Sequence, residues 1–253
     1  GGRHPQVNSV SRSPRLLFAL VVLFTTTLVL AQGFRGRRIE QNEPPATEFV
    51  AARWHFGTNG YIGHMGWSHN YPDSDRNLNG FLGRATRLDV EDASYRIIEL
   101  GSDEVFDHPF AYVSEPGEME LTDQEVLNLR EFVGRGGFVL MDDFDGPVQW
   151  EQMRSQVRRA FPDGEFVPLD IGHVVFRTYM QPESLEAMAE HVPGGEIHYY
   201  GLLDEAGRVA ILAGLNNDLA NFWDWYADGQ MPLKPATDAF RIGTSAVLYS
   251  LTH

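Results

Sequence analysis

The chain has 253 residues, 43% hydrophobic and 22% charged, proportions that exclude a disordered, collagen-like or coiled-coil protein. It has no cysteine, which rules out a disulfide scaffold, a thiolate zinc site and a cysteine nucleophile together. The formal net charge is −15, but residues 1–38 hold six Arg and no acid, so residues 39–253 carry 14 basic against 35 acidic groups, net −21, and nucleic acid is not an expected partner.

In chain order, the first element is the uncharged run Leu16–Ala31 (LLFALVVLFTTTLVLA), preceded by Arg3, Arg12 and Arg15. It has the charged start and small-residue end of a secretory signal. Extended through Phe34 it also reaches the length of a membrane anchor. The expectation is a retained single-pass anchor at 16–34 in a bacterial inner membrane, with a cytoplasmic tail at 1–15, a linker at 35–47 and an exported, periplasmic domain at 48–253.

Within that domain, Glu48–Phe56 reads as a strand and Gly57–Asp75 as a long loop. Leu78, Phe81, Leu82 and Ala85 predict a helix over Arg76–Leu88. Strands follow at Tyr95–Leu100 and Phe110–Val113. Thr122-Asp-Gln-Glu125 is a capping box opening a helix that stops at the glycines Gly134–Gly137. Phe138–Met141 is apolar throughout, as a strand buried on both faces requires. A helix is predicted at Val148–Phe161, a hairpin at Ile197–Leu203 and Arg208–Ala213, and a last helix at Asp238–Leu251. Alternating strands and helices imply an α/β fold with a mainly parallel central sheet. In such sheets ligands sit beyond the carboxyl ends of the strands.

Three groups of residues could carry chemistry there. Asp142, Asp143 and Asp145 follow the most buried strand and would repel one another unless compensated. The sequence after Gly146 completes no calcium loop, so helix capping and backbone amides or Arg are expected to hold them, with no metal and no cofactor. His64 and His69 lie near Asp73 and Asp75 in the long loop; these are zinc or iron ligand types at no known ligand spacing, and backbone satisfaction accounts for them equally. Asn217, Asp218, Trp223 and Trp225 form a third cluster, fit for a sugar or a protein partner. Ser114 follows a strand, but without the flanking glycines of a nucleophile elbow it reads as structural.

GWSHNYPDSDRNLNGFL, PFAYVSEPG with LTDQEVLNLREFVGRGGFVLMDDFDG, and NNDLANFWDWYADG with AFRIGTSAVLYSLTH resemble the bacterial family called domain of unknown function 4159, from about Phe49 to His253. The resemblance implies a fold like that of class I glutamine amidotransferases, a flavodoxin-like three-layer sandwich. Glutaminase chemistry needs a thiolate that this chain lacks. The leading expectation is therefore a non-catalytic, membrane-anchored extrinsic subunit, a pseudoenzyme that binds or scaffolds subunits of a membrane protein complex; a photosynthetic reaction centre–antenna assembly is one such host. Its contact residues are expected among Trp67, Tyr71, Trp223, Trp225 and Tyr226. The alternatives are a metal-assisted hydrolase using Asp142, Asp143, Asp145 and His55 or His64, and a carbohydrate-binding module using Trp223 and Trp225.

Overall fold

A computed structural model describes residues 1–2, 41–59, 66–191 and 195–253. The chain divides into two units, Gly1–Glu40 and Gln41–His253. The expected membrane segment 16–34 lies outside the described residues, and so does His64. Among the described residues no helix is long and apolar enough to cross a membrane.

The second unit is a mixed α/β fold around one seven-stranded sheet of order β2-β1-β3-β4-β7-β6-β5. The strands are β1 Ala51–His55, β2 Tyr95–Glu99, β3 Phe110–Ser114, β4 Phe138–Phe144, β5 Phe166–Pro168, β6 His198–Leu203 and β7 Val209–Leu215. From β2 to β7 the pairs are parallel; β6 and β5 add antiparallel. Among the described residues five α-helices accompany them: α1 Asp73–Ala85, α2 Asp123–Gly134, α3 Gly146–Ala160, α4 Leu219–Trp225 and α5 Leu233–Thr252.

Period-two alternation divides the core. Ala51, Tyr112, Leu140 and Leu212 join Leu78, Phe222 and Phe240 of α1, α4 and α5 in one cluster. Their neighbours Ala52, Val113, Met141 and Ala213 join Leu129 and Val157 of α2 and α3 in the other. Helices thus bury apolar stripes on both faces of a sheet whose central strands are wholly buried. Each large side chain removed from water contributes about 1.5–3 kcal/mol.

Local signals formed as expected where they were self-contained. The capping box is complete: Thr122 Oγ1 accepts from Glu125 N at 3.3 Å, and Glu125 Oε2 accepts from Thr122 N at 2.7 Å. At the other end of α2, Gly136 N donates to Val133 O and Gly137 N to Phe132 O, with Gly136 at φ +95°.

Other boundaries moved. Helix α1 begins at Asp73 rather than Arg76, α5 begins at Leu233 rather than Asp238, and β5 and α4 were not anticipated. The described part of the expected linker is not free. Gln41 donates to Ile97 O at 2.7 Å and accepts from Ile97 N at 3.0 Å, while Asn42 donates to Ala93 O and Tyr95 O at 2.6 Å each. These side-chain amides stand in for a strand partner along the outer edge of β2, which would otherwise expose unpaired backbone groups.

Candidate functional site

The site lies at the carboxyl ends of the parallel strands, and a bulge in β4 creates it. Met141 pairs with Ala213 and Phe144 with Leu215, so β4 spends one residue more than β7 between these points. In an unbroken strand Asp143 would follow Met141 into the apolar core on the α2–α3 side. The extra residue hands that place to Phe144, which joins that core, and Asp143 takes a left-handed backbone at φ 66°.

Asp142 keeps its regular place, on the face shared by Tyr112 and Leu140, and is fully buried. Its carboxylate accepts from Leu219 N at 2.7 Å, Ala220 N at 3.2 Å, Tyr112 Oη at 3.1 Å and Asn217 Nδ2 at 3.2 Å. It therefore ties β4 to the first turn of α4. Burial, and then repulsion from Asp218 and Asp143, push its pKa well above the usual Asp range.

Asp143 points elsewhere. Its Oδ2 lies 2.5 Å from His69 Nδ1 and accepts from Ser114 Oγ at 3.3 Å. Glu115, just beyond β3, brings Oε1 to 3.9 Å from the same His69 nitrogen. One ligand atom each from His69, Glu115 and Asp143 lie within 4.8 Å of one another. Hydrogen bonding to Asp143 raises the His69 pKa against the opposing effect of burial. Burial, then Asp143, lift Glu115 to about 8; the same two causes lift Asp145 to about 6. Asp218, the N-cap of α4 through Asn221 N, is also raised well above its ordinary value by burial and by Asp143.

Four non-glycine residues among those described have positive φ: Asn70, Glu115, Asp143 and Asn216. They lie after β1, after β3, within the bulge of β4 and after β7, all at this edge. Strained backbone costs on the order of 1–3 kcal/mol per residue and gathers where function holds it in place. Asn216 is fixed by its own amide, which accepts from Gly146 N at 2.8 Å and donates to Glu196 O at 2.7 Å. Asn70 donates to Asn221 Oδ1 and Asp224 Oδ2, both at 2.9 Å, tying the His69 loop to α4. Gly66 opens that loop at φ +47°, where a Cβ would fall 2.7 Å from Glu118 Oε2.

Of the residues singled out from sequence, His69, Asp142, Asp143, Asn217 and Asp218 come together. Asp145 sits at the rim, at the N-cap position of α3, without a side-chain capping bond. The carboxylates are held by amides, hydroxyls and His69; the described contacts include no Arg, because Arg53 is committed to Asp75. Ser114 is buried and shares Asp143 with His69 rather than bonding to the imidazole, so it is not an activated nucleophile. Asp73 lies at the exposed start of α1 near Arg76, away from the loop ligand set proposed for it.

The aromatic candidates divide. Trp223 is 1% exposed and packs on Tyr112 at 5.6 Å; α5 approaches it so closely at Gly243 that a Cβ there would lie 2.6 Å from its ring. It is core, which corrects its assignment to a partner surface or a sugar platform. Tyr71 packs edge-on to Tyr95, and Trp67 lies against His55 at 4.4 Å; both are half-buried. Trp225 and its neighbour Tyr226 are open to solvent, at 42% and 45%. Sequence reasoning passed over Glu115 as a site residue, although a charged residue immediately after an apolar strand was a usable signal. It also missed Arg53, the one charged residue inside β1.

No curated protein matches this chain. The family model for the domain of unknown function DUF4159 matches residues 56–251, most of the chain and all of the site just described. The chain therefore belongs to the DUF4159 family.

Proposed function

We propose that this domain binds one divalent cation through His69, Glu115 and Asp143 and uses it to hydrolyse a polar substrate. The observation that carries the reading is the convergence of three potential ligand atoms within 4.8 Å at the carboxyl edge of the sheet. Ligands on one ion, each about 2.0–2.2 Å from it, stand roughly 3–3.5 Å apart. Glu115 and His69, at 3.9 Å, need close only slightly. The 2.5 Å contact between His69 and Asp143 is a hydrogen bond and must open for both to bind an ion. Imidazole with two carboxylates suits zinc, manganese or ferrous iron better than calcium. Three protein ligands leave positions open, the arrangement of catalytic rather than structural zinc sites. A bound ion would supply Lewis acidity and acidify a water. Glu115 and Asp143 would neutralise its charge, and Asp142 and Asp218 would hold the bulge and α4 that carry the site.

This reading replaces the expectation that amides and Arg alone hold the carboxylates. The flavodoxin-like three-layer description is supported by helices on both sheet faces.

Calorimetric titration of the chelator-treated chain with Zn2+ and with Mn2+ tests the proposal. One equivalent should bind, and Asp143→Asn, Glu115→Gln and His69→Ala should each weaken binding at least tenfold. Ester, amide and glycoside substrates should be turned over only with the ion present. Absence of stoichiometric binding, or binding indifferent to all three substitutions, overturns it.

A second reading keeps the domain as a non-catalytic, membrane-anchored subunit of an inner-membrane complex. The exposed neighbours Trp225 and Tyr226, at 42% and 45%, and the net charge of −15 support it. Loss of co-purifying membrane proteins in Trp225→Ala, with cation binding intact, would favour this reading.

A further inference from the structure

Arg53 is an anomaly of the core. It occupies the middle of β1, 1% exposed, on the face where Ala51 and Tyr112 are packed by helices. Its five N–H groups are all engaged. Nε meets both Asp75 oxygens at 3.2 and 3.1 Å, and Nη2 donates to Asp75 Oδ2 at 2.7 Å and Ser74 Oγ at 3.0 Å. Nη1 donates to two backbone carbonyls, Trp67 O at 3.0 Å and His69 O at 3.1 Å. The guanidinium lies over the Tyr112 ring at 4.6 Å. Burial opposes the charge, but Asp75 and the tyrosines outweigh it, and the pKa is raised.

A buried ion pair of this kind gives a fold little net stability, because desolvation offsets the attraction; apolar residues of similar volume often serve as well or better. What it supplies here is geometry. The planar fork connects three things: strand β1, the first turn of α1, and the carbonyls on either side of Ser68. The Asp143 contact requires His69 to stand across the sheet edge from its own strand, on the segment that leads from Gly66 into α1. Asp75 fixes the fork, and the fork fixes the His69 backbone.

We infer that Arg53, aligned by Asp75, is the positioning residue for the His69 imidazole, holding it against Asp143 before any ion arrives. The inference rests on the cation-binding reading only for its consequence in affinity; the placement of His69 is testable without an ion. Lysine cannot substitute, since a single ammonium lacks the fork that spans a carboxylate and two carbonyls.

The experiment uses the full chain and two variants, Arg53→Lys and the double variant Arg53→Met with Asp75→Leu. The double variant removes both charges and so leaves no unpaired charge in the core. Nitrogen-15 NMR of the His69 ring in chelator-treated protein reads its hydrogen bond to Asp143, circular dichroism reads the fold, and calorimetry reads Zn2+ affinity. Both variants should melt cooperatively, lose the His69 signature seen in the parent, and bind Zn2+ about 10–100-fold more weakly, as loss of outer-shell support does elsewhere. A folded double variant that keeps the His69 signature and binds Zn2+ within threefold of the parent overturns the inference, and Arg53→Lys with unchanged ring signals does so too. Should the parent bind no Zn2+ while the variants lose the ring signature, positioning stands and the cation reading falls.

Discussion

The two ends of the parallel strands are built on opposite principles. At the carboxyl end, Asp143, Asp218 and Glu115 act on one imidazole, four non-glycine residues among those described hold left-handed backbones, and Glu115 and Asp145 have pKa values raised to about 8 and 6. At the amino end, the charged pair Arg208–Asp204 frames the β6–β7 turn. Arg208 Nε donates to Asp204 Oδ2 at 2.9 Å and Nη1 to Gly136 O at 2.7 Å, joining the β6–β7 turn to the turn before β4. Burial of Asp204 is outweighed by these and by backbone donors, so its pKa falls below the ordinary value. One sheet thus carries a relaxed edge that stabilises it and a strained edge kept in spite of its cost. Such unevenness is expected where local rules yield to a site.

The sharpest way to break the comparison is at Asp142, a strained-edge carboxylate that we treat as structural. Asp142→Ala leaves Leu219 N, Ala220 N and Tyr112 Oη without their acceptor. Unmet buried donors cost about 1–3 kcal/mol each, partly offset by loss of a poorly solvated carboxyl, so a net loss of about 3 kcal/mol is expected in urea unfolding. A change below about 1 kcal/mol would place Asp142 with the expendable carboxylates. At the opposite edge, Arg208→Ala should cost about 2 kcal/mol through its charged hydrogen bonds and leave cation affinity unchanged. A drop in affinity there would mean that the two ends are coupled.

How much of this contrast could be read from sequence depends on range. The capping box at Thr122 and the stop at Gly136 use partners within a few residues, and both formed as read. The Asp142–Asp145 cluster was visible as a run of like charge after an apolar strand. Its compensation was not, because His69 approaches from 74 residues away. The bulge that separates Asp142 from Asp143 depends on pairing with β7, which no local pattern encodes. Trp223 looked like a surface aromatic because it follows a polar loop. Helix α4 and the small Gly243 on α5 bury it, and both are facts of packing.

Glu115→Gly probes strain and function together. Glycine adopts the left-handed conformation freely, whereas glutamate at φ 53° pays a penalty on the order of 1–2 kcal/mol. Glycine's greater freedom in the unfolded chain returns about 0.4–1 kcal/mol of that. Removing a buried carboxyl adds to the gain. The variant should be more stable by about 1 kcal/mol in metal-free buffer, while cation affinity falls at least tenfold. Equal stability and intact binding would show that Glu115 is neither strained nor a ligand.

The dependence on pH is the most diagnostic effect, because the two edges give it opposite signs. A carboxyl whose pKa is raised on folding, as for Glu115, from 4.5 to about 8, holds a proton in the native state that the unfolded chain has released. Stability then falls as pH rises through that window, by no more than about 1.4 kcal/mol per pH unit for each proton of difference. Asp145, raised to about 6, acts in the same sense between 3.8 and 6. The His69 contribution is full below 6.5 and is lost as pH rises through its higher folded value, again the same sense. Asp204 is opposite: its lowered pKa gives stability above 3.8 that disappears in acid. With chelator present, the melting temperature should therefore decline from about pH 5 to pH 8. Glu115→Gln should flatten the upper part of that decline, and Arg208→Ala should leave it unaltered while reducing sensitivity below pH 4, because Asp204 then loses the partner that lowers its pKa. Saturating Zn2+ should flatten the decline as well, because ligation favours the ionised carboxylates. A melting temperature that climbs from pH 5 to 8 in metal-free protein would mean that the crowded edge is not the strained one.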